Sequence, residues 1–294
     1  MKRLARWFSS HPLRPALAML LAISLLGCSH WAWSPPRADR QWYPYLARTP
    51  HVQMDAARFS VSPVTQWTYD AAGPVTQTYA DAHFAFSDLR NVWFVLEPQP
   101  GMTYAAHTFL LFEFGGDRLL GVTIEARREE HEEYSAIDGA FNAYELAYLW
   151  GGSRDLLTRR AVMLNHEVFI YPIRISEEQK RVLLTRLLQR TDDLERRPRF
   201  YNTLFSNCTN ELAKATDLKW HYSYILTGYS DEHLFEIGLI PGPDFATAHA
   251  RSDMSAFVRG LNAHPPADFD AAVLAELRRR NAPVSPPALS AARG

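Results

Sequence analysis

The chain has 294 residues, of which 47 % are hydrophobic and 13 % aromatic, and its formal net charge is −1. That is ample apolar material for a packed core, and the near-neutral balance argues against a nucleic-acid partner, which needs a basic stripe to displace counterions. Two cysteines in the whole chain also rule out a disulfide-stapled scaffold.

The start of the chain is basic, with Lys2, Arg3, Arg6 and Arg14, and no acidic residue precedes Asp39. From Pro15 to Trp33 the sequence carries no charge. One reading makes Leu25-Leu26-Gly27-Cys28 a lipobox, cleaved before Cys28 so that this cysteine carries the lipid. The other leaves about 19 apolar residues uncut across the bilayer, with Trp31 and Trp33 in the interfacial belt. The lipobox is the preferred reading. Both make residues 1–37 a signal segment or membrane anchor and deliver a domain of residues 38–280 to the periplasmic side of a bacterial envelope. The tail 281–294 lacks apolar periodicity and is expected to be disordered.

Residues 38 to 100 alternate short apolar runs with Pro and Gly punctuation, among them 59–64 and 91–98, and predict a β-rich segment. The clearest local signal comes next: His107 to Phe114, then Gly115-Gly116-Asp117, then Arg118 to Arg127. Two β-prone runs around a Gly-rich turn predict an antiparallel hairpin. Centring it on Gly116 sets His107 opposite Glu125. The spacing of Phe141, Tyr144, Leu146 and Tyr148 predicts a helix over 136–150, and 167–173 reads as a strand. Ser176 to Gln179 is a capping-box pattern, and Val182, Leu183, Leu184, Leu187 and Leu188 then line one helix face. A further helix is expected from Ser206 or Asn207 through Cys208 and Leu212, fading near Asp217. Arg278-Arg279-Arg280 suits a helix C-terminus, which favours cations.

Common catalytic signatures are missing. Neither His131-Glu132 nor His166-Glu167 is completed to a zinc-protease motif, and Gly151 to Asp155 lacks the last glycine of a serine elbow. Glu129 to Glu133 read as a solvated acidic face around His131, and no metal or cofactor is implied. What remains is Asn207-Cys208 and the histidine that opens the hairpin. A thiol in the first turn of a helix feels the positive end of the dipole, which favours thiolate. His107, supported by Glu125, is the right kind of base for it. From spacing alone, an inert core cysteine is the favoured reading, because free cysteine usually packs as a small hydrophobe.

From Trp42 to about Ile240 the chain resembles the Lnb N-terminal periplasmic domain family. The resemblance rests on Ala106 to Leu110, on Thr123 to Arg127 with Glu129, on Tyr134 to Ala136, on Tyr144 to Tyr148, on Phe200 to Leu204 leading to Asn207 to Asn210, and on Gly228-Tyr229 leading to Leu239-Ile240. It implies an α+β fold of circularly permuted papain-like (NlpC/P60-type) architecture, an antiparallel sheet packed on the cysteine helix, with the histidine strand preceding that helix. It also implies N-acylation of lipoproteins, with a phospholipid as acyl donor and a lipoprotein amino terminus as acceptor. Carried onto this chain, Cys208 is the nucleophile, His107 the base and Glu125 the third member, while Tyr134, Glu145 or Asn207 are alternatives for orienting the histidine. Asn210 stands where many members carry threonine, which leaves the thiol chemistry intact and alters the nearby pocket.

Two other functions remain open on the sequence: a cell-wall peptidase, amidase or lipid hydrolase on the same residues, and a non-catalytic envelope lipoprotein. The aromatic stretch Trp220 to Leu226 can line a greasy groove, line a polar cleft or fill the core. The anchor reading has a direct check. A fatty-acid probe fed to cells is expected to tag the wild type and to leave Cys28→Ser unlabelled; label that persists in Cys28→Ser and disappears in Cys208→Ala rejects the lipobox.

Overall fold

The computed structural model describes residue 19 and residues 35–282. Cys28 and the tail beyond Ala282 lie outside the described residues. The chain divides into two compact units, Met1–Asp39 and Arg40–Gly294. Described residues of the first unit include the ion pair Arg37 to Asp39 at 3.0 Å.

The second unit is an α+β domain on an antiparallel-dominated sheet. Its strands are β1 (His51–Met54), β2 (Arg58–Thr65), β3 (Thr68–Asp70), β4 (Gly73–Thr76), β5 (Tyr79–Ala85), β6 (Leu89–Gln99), β7 (Met102–Phe114), β8 (Arg118–Arg127), β9 (Glu145–Gly151) and β10 (Phe169–Pro172). Among the described residues the large sheet runs β1-β2-β9-β8-β7-β6-β10, with β5 added beside β2, and β3 pairs β4 separately. Its helices are α1 (Ala136–Ala140), α2 (Ser153–Thr158), α3 (Glu177–Arg196), α4 (Cys208–Lys214), α5 (Ser230–Glu236), α6 (Phe245–Ser252), α7 (Ser255–Ala263) and α8 (Phe269–Asn281). A π-helical turn, Arg159–Met163, extends α2.

The period of two along the strands builds two cores. Leu110 and Phe112 enter one with Trp150, Leu184, Leu187, Cys208 and Leu212. Phe109 and Leu111 enter the other with Leu156, Leu157, Val258, Val273 and Leu274. Alternation sends successive side chains to opposite faces, so helices α3 and α4 cover one side and α2, α7 and α8 the other.

The hairpin forms in the expected register, from Phe109 opposite Thr123 to Phe114 opposite Arg118. Gly116 and Asp117 supply the left-handed turn at φ 75° and 54°. The capping box is complete: Ser176 accepts the Gln179 N–H while the Gln179 side chain takes the Ser176 N–H. Arg278 to Arg280 do sit in the last turn of α8. One expectation is corrected. Residues 136–150 are not one helix: α1 stops at Ala140, Asn142 turns left-handed at φ 58°, and β9 begins at Glu145. Tyr144, Leu146, Tyr148 and Trp150 all enter the first core while Leu149 enters the second. That alternation has period two, and strand pairing with β8 overrides the helical spacing.

The turn Thr227–Tyr229 clasps the start of β7. Thr227 Oγ1 accepts the Ala106 N–H at 2.8 Å and donates to Ala106 O at 2.6 Å. A Cβ on Gly228 would lie 2.1 Å from Thr103 O and 2.8 Å from Tyr104 C, so glycine is required by close backbone approach. Gly228→Ala is therefore expected to cost about 1–3 kcal/mol as an overpacked contact, read as a lower denaturant midpoint.

Candidate active site

Cys208 is the first residue of α4, and Asn207 caps that helix by accepting the Asn210 N–H on its side chain. Asn207 is held from the other side as well, its Nδ2 donating to Thr203 O and Tyr224 O, both at 2.8 Å. This fixes the first turn, and with it the thiol, which is 6 % exposed. Among the described residues it is a free cysteine.

The histidine arrives from the sheet. The β7–β8 ladder ends at Phe109 opposite Thr123, although β8 continues to Arg127 along β9. Just beyond that end, His107 and Cys208 come close enough for a side-chain hydrogen bond. The sulfur also receives the backbone N–H and the hydroxyl of Thr108. The Thr108 hydroxyl is shared with Thr209, at 2.9 Å.

On its other side His107 Nε2 lies 2.6 Å from the Thr123 hydroxyl and 3.3 Å from Glu125 Oε1. Thr123 donates in turn to Glu125 Oε1 at 2.8 Å. With Nε2 so engaged, Nδ1 is the ring nitrogen left for the thiol. Behind Glu125 stands Arg160, 2 % exposed, which donates from Nη2 to Glu125 Oε1 at 3.1 Å and to Thr123 Oγ1 at 3.4 Å. Arg160 Nε pairs with Glu97 Oε2 at 3.1 Å, and Glu97 Oε1 meets His166 Nδ1 at 2.5 Å. Glu97 is also the cross-strand partner of His107 on β6.

These neighbours set the protonation states. Burial opposes charge on His107, yet Glu125 first and Cys208 second push it up to about 10. Burial likewise works against the Cys208 thiolate, but the His107 charge, its hydrogen bond and the two Thr108 donors bring the thiol below its ordinary value. Glu125, despite burial, is held well below the usual carboxylate range by His107 and Arg160. Both shifts favour a thiolate–imidazolium pair, charged between the lowered thiol pKa and the raised histidine pKa.

The alternative orienting residues have other work. Asn207 is the helix cap. Tyr134 is 48 % exposed and meets the Tyr201 hydroxyl at 3.2 Å. Glu145 is buried against Arg40 Nε at 3.3 Å, opposite Arg127 in the ladder. At the His107 ring itself the side chains within hydrogen-bond or ion-pair distance of Nε2 are those of Thr123 and Glu125. Asn210 donates from Nδ2 to Leu204 O at 3.1 Å and Tyr224 O at 2.8 Å. The acidic run is partly tied down, Glu129 by Arg40 at 2.7 Å. Sequence reasoning missed Thr123, Thr108 and Arg160, and also Tyr201, which is buried near the sulfur and raised by burial first and by Cys208 second. For Thr123 a signal existed: two residues before Glu125 on one strand, it shares the same face.

Alongside α4 runs an apolar cavity of about 260 Å³, walled by Phe94, Leu110, Leu183, Leu212 and Leu234. Thr209 and Tyr224 also line it, and the Thr209 hydroxyl is 3.8 Å from the Cys208 sulfur. The Tyr224 hydroxyl is buried and, among the described residues, has no hydrogen-bond partner. Trp220, Tyr222 and Leu226 of the same aromatic stretch are exposed instead, at 68, 51 and 40 %.

Iodoacetamide alkylation of Cys208 should rise with pH through a midpoint below that of an ordinary thiol. In His107→Ala burial acts against the thiolate without that counter-charge, so the midpoint should move up toward or beyond the ordinary value of about 8.5. Glu125→Gln should move it in the same direction by less. An unchanged midpoint in His107→Ala means the two side chains are not coupled.

No curated protein and no solved structure matches the chain. The family model of the Lnb N-terminal periplasmic domain matches residues 76–222, a span that holds His107, Glu125 and Cys208. Among the described residues no helix is long and apolar enough to cross a membrane, and no group of three or more His, Cys, Asp or Glu could hold a metal ion. The match covers half of the chain, and with the His–Cys arrangement inside it the chain belongs to the Lnb N-terminal periplasmic domain family.

Proposed function

We propose that this protein is a cysteine-dependent acyltransferase on a circularly permuted papain-like fold. It moves a phospholipid acyl chain through a Cys208 thioester to the α-amino group of lipoproteins. The observation that carries the reading is the meeting of His107, backed by Thr123 and Glu125, with Cys208 in the first turn of its helix at the end of the β7–β8 ladder. The chain order His107, Glu125, Cys208 is the one a permuted papain-like site requires. An acyl rather than a peptide substrate is supported by the apolar cavity beside Thr209, since a long alkyl chain gains from leaving water and a peptide needs polar partners.

The reaction has two halves. The thiolate attacks the ester carbonyl, a carbon–sulfur bond forms, and the oxyanion meets backbone N–H groups at the start of α4, including that of Cys208. As the carbon–oxygen bond breaks, imidazolium His107 gives its proton to the departing lysophospholipid oxygen. Neutral His107 then takes a proton from the incoming amine while the carbon–nitrogen bond forms and the thiolate leaves. Thr123 and Glu125 hold the ring in place throughout and stabilise its charged form. The membrane attachment read from the leader suits this scheme, because donor and acceptor both reside in the bilayer.

Purified protein incubated with phospholipid vesicles is expected to gain the mass of one acyl group at Cys208, removable by hydroxylamine. Cys208→Ala and His107→Ala should each abolish transfer, with the double change costing little more than either alone because the two act as a unit. Glu125→Gln, which loses only orientation and charge support, should retain more activity than either. N-acylation that survives in Cys208→Ala rejects the covalent mechanism. Cleavage of peptidoglycan peptides by a wild type that never forms an acyl adduct would make the protein a peptidase or amidase.

A further inference from the structure

Four loops converge on the Cys208 end of α4, and hydrogen bonds fix them to one another. The Tyr224 carbonyl accepts from both Asn207 and Asn210, and Asn210 also holds Leu204 O. Thr203 donates from its hydroxyl to Ala136 O at 2.8 Å, and Asn202 Nδ2 to Ala140 O at 3.0 Å. Thr227 ties the 220–229 segment to Ala106, next to His107. Segments 102–106, 136–142, 202–206 and 220–229 therefore gather, as one ring of loops, about the Cys208 end of α4.

These segments expose large apolar side chains together. Ile137 is 72 % exposed, Phe205 and Trp220 68 % each, Tyr104 and Tyr222 51 % each, and Leu204 39 %. Elsewhere such residues stand apart, as Val75 on β4 and Leu164 after the π-helical turn do. Single exposed apolar side chains need no explanation, but a group gathered around one buried nucleophile does.

We infer that this ring is a bilayer-docking surface, through which the domain rests on a neutral phospholipid membrane with the Cys208 opening against the lipid. Its chemistry is interfacial: Trp and Tyr, which prefer the headgroup level, mixed with Phe, Ile and Leu, which prefer the acyl boundary. The charges near it are mostly acidic, Asp138 within it, Asp217 close to Trp220 and Glu130, Glu132 and Glu133 close to Tyr134, against Lys219. Attraction to anionic lipid therefore supplies little, and apolar burial supplies the hold. A protein partner seated on a ring would cap the thiol, whereas a fluid bilayer both covers the ring and delivers substrate through its centre. The inference rests on Cys208 as the nucleophile, and not on which acyl group it carries.

The test uses the full chain in phosphatidylcholine vesicles, with a photoreactive phenylalanine analogue placed at Phe205, at Trp220, or at Val75 as the control. Illumination should yield adducts of phospholipid mass at 205 and 220 and none at 75, at low and at high salt alike. Adducts only to protein at 205 and 220, or equal lipid labelling at 75, overturn the docking surface. The double variant Phe205→Ser/Trp220→Ser should lose roughly a hundredfold in turnover of vesicle-borne substrate, about tenfold for each large side chain withdrawn from the interface, with an unchanged thermal midpoint. Lipid adducts without any acyl-enzyme would leave the docking surface standing and remove the acyl-transfer reading; an acyl-enzyme without lipid adducts would do the reverse.

Discussion

A guanidinium with almost no access to water organises the site. Arg160 lies between Glu97 and Glu125 and over the Phe109 ring at 4.4 Å. Burying such a charge is tolerable only when it is paired and hydrogen-bonded, and stripping away one partner of a buried pair costs several kcal/mol. Arg160 meets that demand with two carboxylates and the Leu156 carbonyl at 2.9 Å. Because Glu125 is committed to Arg160, its position beside Thr123 is fixed before any substrate arrives, and Thr123 and Glu125 fix His107 in turn. The π-helical turn sets the angle at which Arg160 enters, and irregular turns of this kind recur at functional sites.

Much of this was legible in the residues. The hairpin register follows from two β-prone runs around Gly115-Gly116-Asp117, and although the ladder stops at Phe109 and Thr123, the same register carried two residues further brings the His107 and Glu125 side chains together. The cysteine helix is announced by Asn207, a strong cap. The aromatic stretch that runs into and along β9 misleads because Tyr144, Leu146, Tyr148 and Trp150 at every second position also satisfy part of a helical pattern, and only pairing with β8 decides. Arg160 could not be read, since it reaches Glu125 from a distant element. Thr108 could not be read either: it contacts the sulfur largely through its backbone N–H, which every residue but proline carries.

The asparagines around the thiol show how a short helix is held without much apolar area. Asn207 and Asn210 spend their carboxamides on carbonyls of two different loops, and the Tyr224 carbonyl takes a bond from each. Buried polar groups left unmade are costly, so these bonds resist exchange for water. The loops around the start of α4 are thereby anchored to the same turn that carries Cys208. Geometry at the sulfur and geometry of the surrounding ring are one mechanical unit.

The Thr123–Glu125 backing of His107 bears on the whole proposed cycle. In the resting pair the sulfur is negative and the imidazole positive; in the thioester both are neutral. At the level of this pair, each step thus interchanges a zwitterion with an uncharged couple, and the enclosed volume keeps the same net charge from start to finish. A site that never changes its net charge asks no counterion to enter or leave. It can therefore work pressed against a medium of low dielectric constant, where an enzyme that accumulated charge during turnover would stall.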